Sequence, residues 1–545
     1  MMNLLNFSRS LLLACICAAG SAHAQSVKSA FNLDARILMH QQLVLNGETV
    51  CVAQNSIPGF MKSELHVDVF GKNTMLRTGS FSKLAEIEKY KNAGISGVVH
   101  KGNEVLVFQY SLKMSGEAIF FVQIVNLEKG TSKYIDLATT TGSVLNMDSY
   151  HMAVNADETH FVVWTATSSQ TATGQALLVK SFALADFKET WSQVVDFRQE
   201  DDIVQEVVQM KVDSKGRAFM AVRHQKKNAK IKSTFALGTV NLTMVTKQEF
   251  IKVSEAGVRR MELPQSNGFL RNTALQLNER SGEVYILGTF VDPTLKLNEA
   301  YGTTNGFVQY LTDLENPKVW SQKLIAFENG DLEPNAVAYS DYKTINIKDG
   351  TVDRKFSDAE IVQNPNGGFY FLGYNNVTTL VDTDKYQYEV LNNGPILILS
   401  FDQNGALQWK KIVGFHQTWI TSKFAESAGV KPVATKNGLS LVYVGQAAAP
   451  PVKNIDGGRW QSNTQPNLED TQLVRIDVTS DTVVRRDVVS TSEFHFHPHL
   501  RSAMTDASGE NMWLVAKGTK KDVLKVAKRA PVSGQFVYRV QLVKN

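Results

Sequence analysis

An all-β fold is what this sequence predicts, on three observations. A unit of β-strand, tight turn and strongly apolar strand recurs along the whole chain. Its apolar runs, such as "EVYILG" and "SLVYVG", are rich in β-branched and aromatic residues, which pack well on a pleated sheet. Long stretches with the 3.6-residue period of an amphipathic helix are nearly absent. A second hairpin follows each first one, so the repeat is four antiparallel strands, A to D, in roughly 55 to 85 residues. Four-stranded units repeated along one chain build a β-propeller. The prediction is a single β-propeller of eight four-stranded blades. Seven is the alternative, because the N-terminal unit is the least regular.

In chain order, residues 1–24 read as a signal peptide outside the fold. Arg9 precedes the apolar run "LLLACICAAG", and "SAHAQ" offers the small residues Ala22 and Ala24 for cleavage before Gln25. The run is too short to span a bilayer, and no later stretch reaches about 18 uninterrupted apolar residues. A lipoprotein reading of Leu13-Ala14-Cys15 is weaker, since only a short apolar run precedes Cys15. Export to the periplasm, the cell surface or the exterior is expected, with no transmembrane segment and the propeller filling residues 25–545. Of the three cysteines, Cys15 and Cys17 leave with the leader. Cys51 then has no disulfide partner, and it sits in the strand-like "ETVCVAQ" with nothing nearby to depress its pKa. A buried, inert thiol is expected there. The net charge of +4 falls to +3 when Arg9 is removed, which argues against nucleic acid as the main partner.

The eight first hairpins run from "QQLVLNGETVCVAQN" to "RSAMTDASGENMWLVAKG". Their turns fall near Gly47, Gly102, Asp157, Gly216, Gly282, Gly367, Gly438 and Gly509, residue types that tolerate the positive φ of short hairpin loops. Among the second hairpins, three place a tryptophan at one point: Trp191, Trp320 and Trp409. The C-terminal "FVYRVQLVKN" reads as strand C of the last blade with no D strand after it. The N-terminal "AFNLDARI" is expected to supply that strand and so close the ring, removing an exposed edge.

The patterns "FDQNGALQWKK" and "TDASGENMWLV" resemble the repeats of bacterial secreted β-propeller proteins, distantly similar to quinoprotein-type propellers. The resemblance covers almost the whole mature chain, but only as repeat grammar. Quinoprotein enzymes would imply a bound quinone and calcium. There is no adjacent cysteine pair and no convincing cofactor-binding set here, so that activity is not carried over and no cofactor is expected from it.

In a propeller the A–B and C–D turns share one face, and the B–C and D–A connections share the other. The first set is short throughout. The second is long, chiefly in blades five to eight: "VDPTLKLNEAYGTTNG", "NNVTTLVDTDKYQYEVLNNG", "AAAPPVKNIDGGRWQSNTQPNLED" and "TKKDVLKVAKRAPVSG". An extra hairpin-like piece, "KTINIKDGTVD", lies between blades five and six. Long loops in a compact domain usually carry function, so this face is the predicted working face.

Its candidate residues are His416 and Trp419 in "GFHQTW", Arg459 and Trp460 in "GGRW", and Tyr386 and Tyr388 in "DKYQYE". Aromatics beside a cation or imidazole suit protein contacts or stacking on sugar rings. Asp382 and Asp384 lie in a loop that lacks the spaced pattern of a calcium site. His495, His497 and His499 in "EFHFHPHL" alternate, so an extended strand would turn all three imidazoles one way, suiting a divalent metal. Same-side neighbours in a strand are about 7 Å apart, wider than a shared ion prefers, so a polar wall at the channel mouth is the competing reading. No G-x-S-x-G elbow appears. Two functions therefore stand. One is a monomeric binding module for a protein, peptide or glycan. The other is a metal-assisted propeller hydrolase or lyase using the three histidines.

Overall fold

The computed structural model describes residues 27–33, 38–56, 64–84, 90, 93–112, 117–141, 150–167, 176–197, 203–232, 239–264, 269–270, 272–291, 303–333, 347–348, 350–353, 355–382, 387–414, 417–420, 429–446, 471–490, 496–518 and 535–542. The leader proposed at 1–24 lies outside them. Eight antiparallel blades form a ring. Their A strands are Leu38–Asn46, Gly94–Lys101, His151–Val154, Ile203–Val212, Ala274–Asn278, Asp358–Gln363, Val430–Thr435 and Phe496–Thr505. Each A strand touches the next, and the eighth touches the first. Val27–Leu33 completes blade eight as its D strand, pairing with Gln535–Gln541 from Val27↔Val540 to Leu33↔Gln535. The predicted closure between the two ends of the chain is thus present.

The eight A–B turns lie where the sequence places them. Seven carry a glycine at positive φ, and the third uses Glu158 at 52° beside the predicted Asp157. Glycine is obligatory for space as well as for φ at Gly509: a Cβ there would meet Ala434 O at 2.7 Å.

The core is a ring of layers between blades. Val50, Val52 and Phe70 of blade one pack with Trp513, Val515 and Val537 of blade eight. Blades one and two share Val67, Val105 and Val107, and similar layers follow around the ring. Polar latches on the short-turn face reinforce them. Asn46 donates to His100 O, Asn155 to Asp213 O at 3.3 Å, and Asn366 to Lys436 O at 3.3 Å, each reaching from one A–B turn to the next blade. The Trp191 indole and the Ser181 hydroxyl both donate to Gly216 O of the following blade, at 3.1 and 2.9 Å. Trp409 packs on Tyr370, with ring centroids 5.8 Å apart. Of Trp320 only the backbone is described.

Blade five splits its inner strand into Phe269–Leu270 and Ala274–Asn278. Asn272 fills the break. Its Oδ1 accepts from Thr289 N at 2.8 Å, replacing a ladder bond, while its Nδ2 donates to Phe356 O and Asp358 O of blade six. The extra piece before blade six is a small hairpin, Ile347–Lys348 with Thr351–Val352.

The opposite face is built differently. In blade six, strands Phe369–Asp382 and Gln387–Phe401 run on past the blade as one ladder, from Asn376↔Asn393 to Asp382↔Gln387. The stretch read as a loop is therefore largely a β-ribbon, and Asp382 ends a strand. Its alternating "VTTLV" and "YQYEV" runs favour continued pairing. Gln417–Ile420 adds a third strand to the ribbon. Blade four does the same with Ala218–Lys232 and Thr239–Ser254, a feature absent from the loop-length argument.

Candidate functional site at the channel mouth

The A strands surround the central channel of a propeller. Each runs from a D–A connection to an A–B turn. Their first residues therefore ring the channel mouth on the face that carries the ribbons.

The richest described cluster at this mouth lies between blades six and seven. Asp358 pairs with Tyr374 and Glu360 with Leu372, which sets Asp358, Glu360 and Tyr374 on one side of the blade-six sheet. Tyr374 packs against the core layer that joins Leu372 and Ile396 of blade six with Leu441, Tyr443 and Leu473 of blade seven. The Tyr374 hydroxyl donates to Glu360, and Asn376 Nδ2 donates to Asp358 Oδ2 at 2.9 Å. Lys431, second in the blade-seven A strand, bears electrostatically on Glu360. Burial raises the Glu360 pKa above the usual carboxylate value, opposed by the Tyr374 hydrogen bond and by Lys431. Burial lowers that of Lys431, opposed by Glu360. Burial, then the Glu360 and Asp358 charges, push Tyr374 well above the usual phenol value. Glu360, Tyr374 and Lys431 are each half-buried between the two blades. Such a trio can hold a proton on a carboxyl or phenol and offer directed hydrogen bonds to a ligand entering the mouth.

An amide relay anchors the ribbon beside this cluster. Asn393 Nδ2 donates to Gln417 Oε1 at 3.0 Å, which also accepts from Gly429 N at 3.1 Å. Gln417 Nε2 in turn donates to Val444 O of blade seven at 2.6 Å. Both side chains are buried.

The sequence candidates divide as follows. Tyr388 sits in the ribbon opposite Val381, and Trp419 sits in its third strand opposite Leu391. The two thus belong to one three-stranded element. Tyr386, His416, Arg459, Trp460 and Asp384 lie outside the described residues, as does His495. His497 and His499 stand in the first turn-ward stretch of the blade-eight A strand, opposite Lys517 and Val515. The ladder is regular through both. The register breaks only after His499, where Met504 next pairs with Trp513. His499 is buried, at 7 % exposure. Among the described residues no three His, Cys, Asp or Glu side chains converge as metal ligands. Cys51 is fully buried, and burial, then Asp68, push its thiol up to about 12, so it stays protonated.

Solved structures with a similar fold have unrelated activities. The β-propeller domain of the Trilobed protease from Pyrococcus furiosus is 9 % identical, with 71 % of this chain and 96 % of that one covered at a TM-score of 0.28. An α-L-arabinanase from Penicillium chrysogenum, solved with arabinobiose, is 8 % identical over 71 % and 98 % at 0.30. Sqt1 from Chaetomium thermophilum, bound to the N-terminus of ribosomal protein L10, is 8 % identical over 94 % and 98 % at 0.38. Similarity this weak bears on neither activity nor ligand, and the eight-bladed fold rests on the blade register itself. No protein-family model and no curated protein matches the chain.

A second charged cluster was invisible to sequence reasoning, because only the register of three neighbouring strands brings its members together. Glu249 of the blade-four C strand meets His224 Nε2 at 3.1 Å, Lys247 Nζ at 2.9 Å and Arg260 at 3.3 Å. Arg260 also donates to Asp196 O of blade three and lies 5.4 Å from the Phe197 ring. Burial opposes ionisation of Glu249, but the His224 and Lys247 hydrogen bonds outweigh it and hold the carboxyl at about 2. A depressed carboxylate pKa stabilises the fold above the unfolded value and loses that stabilisation as pH falls through the folded one. The window is therefore about pH 4.5 down to 2. Unfolding free energies from urea titrations across it should fall for the native chain by on the order of 2–3 kcal/mol more than for Glu249→Gln. Parallel curves for the two proteins would rule out this cluster as an acid-labile tie.

Proposed function

We propose that the protein is an exported binding module that captures a protein, peptide or glycan on its ribbon-bearing face. One observation carries this reading: the two faces are built to different ends. On the short-turn face, side chains of the A–B turns are spent on latches between blades. On the other face, the blade-six sheet runs beyond what the blade needs for its own core, gains a third strand, and borders the polar channel mouth at Asp358, Glu360, Tyr374 and Lys431. Exposed sheet edges can accept an extended peptide as a further strand, and concave mouths with a few placed polar groups suit small ligands. The regular ladder through His497 and His499 gives the metal-hydrolase reading no support from backbone shape.

The test replaces residues 377–392 by a two-residue Asn-Gly turn, leaving blade six and the buried Gln417 relay intact. A glycan array and a displayed peptide library are probed with both proteins. Ligands should be lost from the shortened protein while its melting temperature stays within a few degrees. Hits kept at full strength by the shortened protein would refute this face.

A further inference from the structure

We propose that the cleft between blades seven and eight binds a small aromatic carboxylate. The site lies on the short-turn face, away from the ribbons, and does not rest on the ligand reading above.

The register sets one row of residues at the same point in three blades. It is Ala153↔Val162↔Ser181↔Trp191 in blade three, Val362↔Tyr370↔Ser400↔Trp409 in blade six and Val433↔Ser440↔Asp477↔Val484 in blade seven. In blade three the row faces the next blade, where the buried Trp191 and Ser181 both reach Gly216 O. Blade seven has no indole to place there. Val484 stands at that position and is 39 % exposed. Gly509 of blade eight is the counterpart of Gly216, the positive-φ glycine of the facing A–B turn. Among the described residues no hydrogen bond reaches Gly509 O. A cleft of about 660 Å³ occupies the spot, with Val484 on one wall and Ser508 and Glu510, the neighbours of Gly509, on the other. That volume falls inside the range of about 300–1,000 Å³ usual for small-molecule sites.

The next row along the same side of the ladder brings charge. Blade three has Val179 opposite Gln193 there and blade six has Ile398 opposite Lys411, but blade seven has Arg475 opposite Arg486. Like charges directly opposite each other destabilise a ladder. Asp477 offsets one of them. Its Oδ1 accepts from Ser440 Oγ at 2.7 Å and from Arg475 Nε, and its Oδ2 accepts from Arg486 Nε at 2.9 Å. Arg475 Nη1 also donates to Leu542 O of blade eight at 2.8 Å, which fixes this guanidinium at the seam. Arg486 is held through Nε alone, and among the described residues no hydrogen bond uses its two terminal nitrogens. With Lys436 and Glu510, the cleft carries three cations against two anions. A surplus cation with a free arginine fork suits a carboxylate. The apolar wall of Leu439, Val478, Val484 and Leu542 suits a flat ring, at the point where an indole sits between blades three and four.

The test is titration calorimetry of the full chain with indoleacetate, with indole, which lacks the carboxylate, and with L-tryptophan, which adds an ammonium. Indoleacetate should bind at least about tenfold more tightly than indole. Arg486→Gln should weaken indoleacetate about tenfold and leave indole unchanged. The Arg486 side chain is 63 % exposed, so this variant keeps the fold. Val484→Trp puts an indole where Trp191 stands in blade three. It should weaken both ligands by at least about 100-fold without lowering the melting temperature. L-Tryptophan binding above indoleacetate supports the proposal with an amino acid as the source of the carboxylate, its ammonium met by Glu510; the reverse order supports it with the plain acid. No binding of either carboxylate at millimolar concentration, indole bound as tightly as both, or native-like binding by Val484→Trp would overturn the proposal.

Discussion

Removal of residues 25–33 is expected to open the ring. Those residues hold the D strand of blade eight, and their loss strips five register pairs from Gln535–Gln541. At about 1 kcal/mol net per hydrogen bond, the direct cost is on the order of 5 kcal/mol. The indirect cost is larger, because Val537 and Tyr538 sit in the core layers on the two sides of blade eight and lose their outer cover. An unpaired edge then faces solvent and invites pairing between molecules. Size-exclusion chromatography should show the truncated chain as oligomer or aggregate, with melting lowered by at least about 10 °C. A synthetic peptide, QSVKSAFNLDAR, matching residues 25–36, should restore the monomer and most of the lost stability when added during refolding. A truncated chain that stays monomeric and melts like the parent would mean the strand is dispensable.

Trp513→Ala is expected to be the most damaging point substitution at the same seam. Trp513 is fully buried in the layer between blades eight and one, against Val50, Val52 and Phe70. Its indole donates to Lys72 O of blade one at 3.2 Å, and Lys72 Nζ and the Arg539 guanidinium lie 5.3 and 5.9 Å from the ring. Truncating a buried tryptophan costs about 3–5 kcal/mol through lost burial and the cavity left behind. Here it also orphans a carbonyl that ties the last blade to the first. Trp513→Phe keeps most of the volume and should cost about 1–2 kcal/mol. Denaturant unfolding of the two variants distinguishes these figures. An alanine variant losing less than about 1 kcal/mol would show that the seam does not depend on this side chain.

The blade count was readable because each A–B turn demands special backbone geometry, and glycine or its substitutes mark it in the chain. Even the third turn, where Glu158 takes the positive φ, announced itself through "NADETH". Closure was readable from an unpaired strand at each end. The ribbons were harder to see. Thr, Asn and Asp suggest loops when counted, yet "VTTLV" and "YQYEV" alternate as strands do, and only the partner strand decides between the two. The Glu360–Tyr374–Lys431 trio left no local trace at all. Its members come from two strands of one blade and a strand of the next, so their meeting depends on how two sheets stack. The same holds for Glu249, whose partners His224 and Arg260 lie on the flanking strands of its own blade.

The pairing of Val27 with Val540 also sets a clock. The strand synthesised first is used last, since its partner does not exist until nearly the whole chain has been made. Contacts this distant in sequence are the slowest to form, because the loop they close is the entire protein. Until then Val27–Leu33 has no strand to pair with and the ring stays open. Closure of the ring therefore needs both ends of the chain, and a polypeptide interrupted before its final strand lacks the partner of Val27–Leu33.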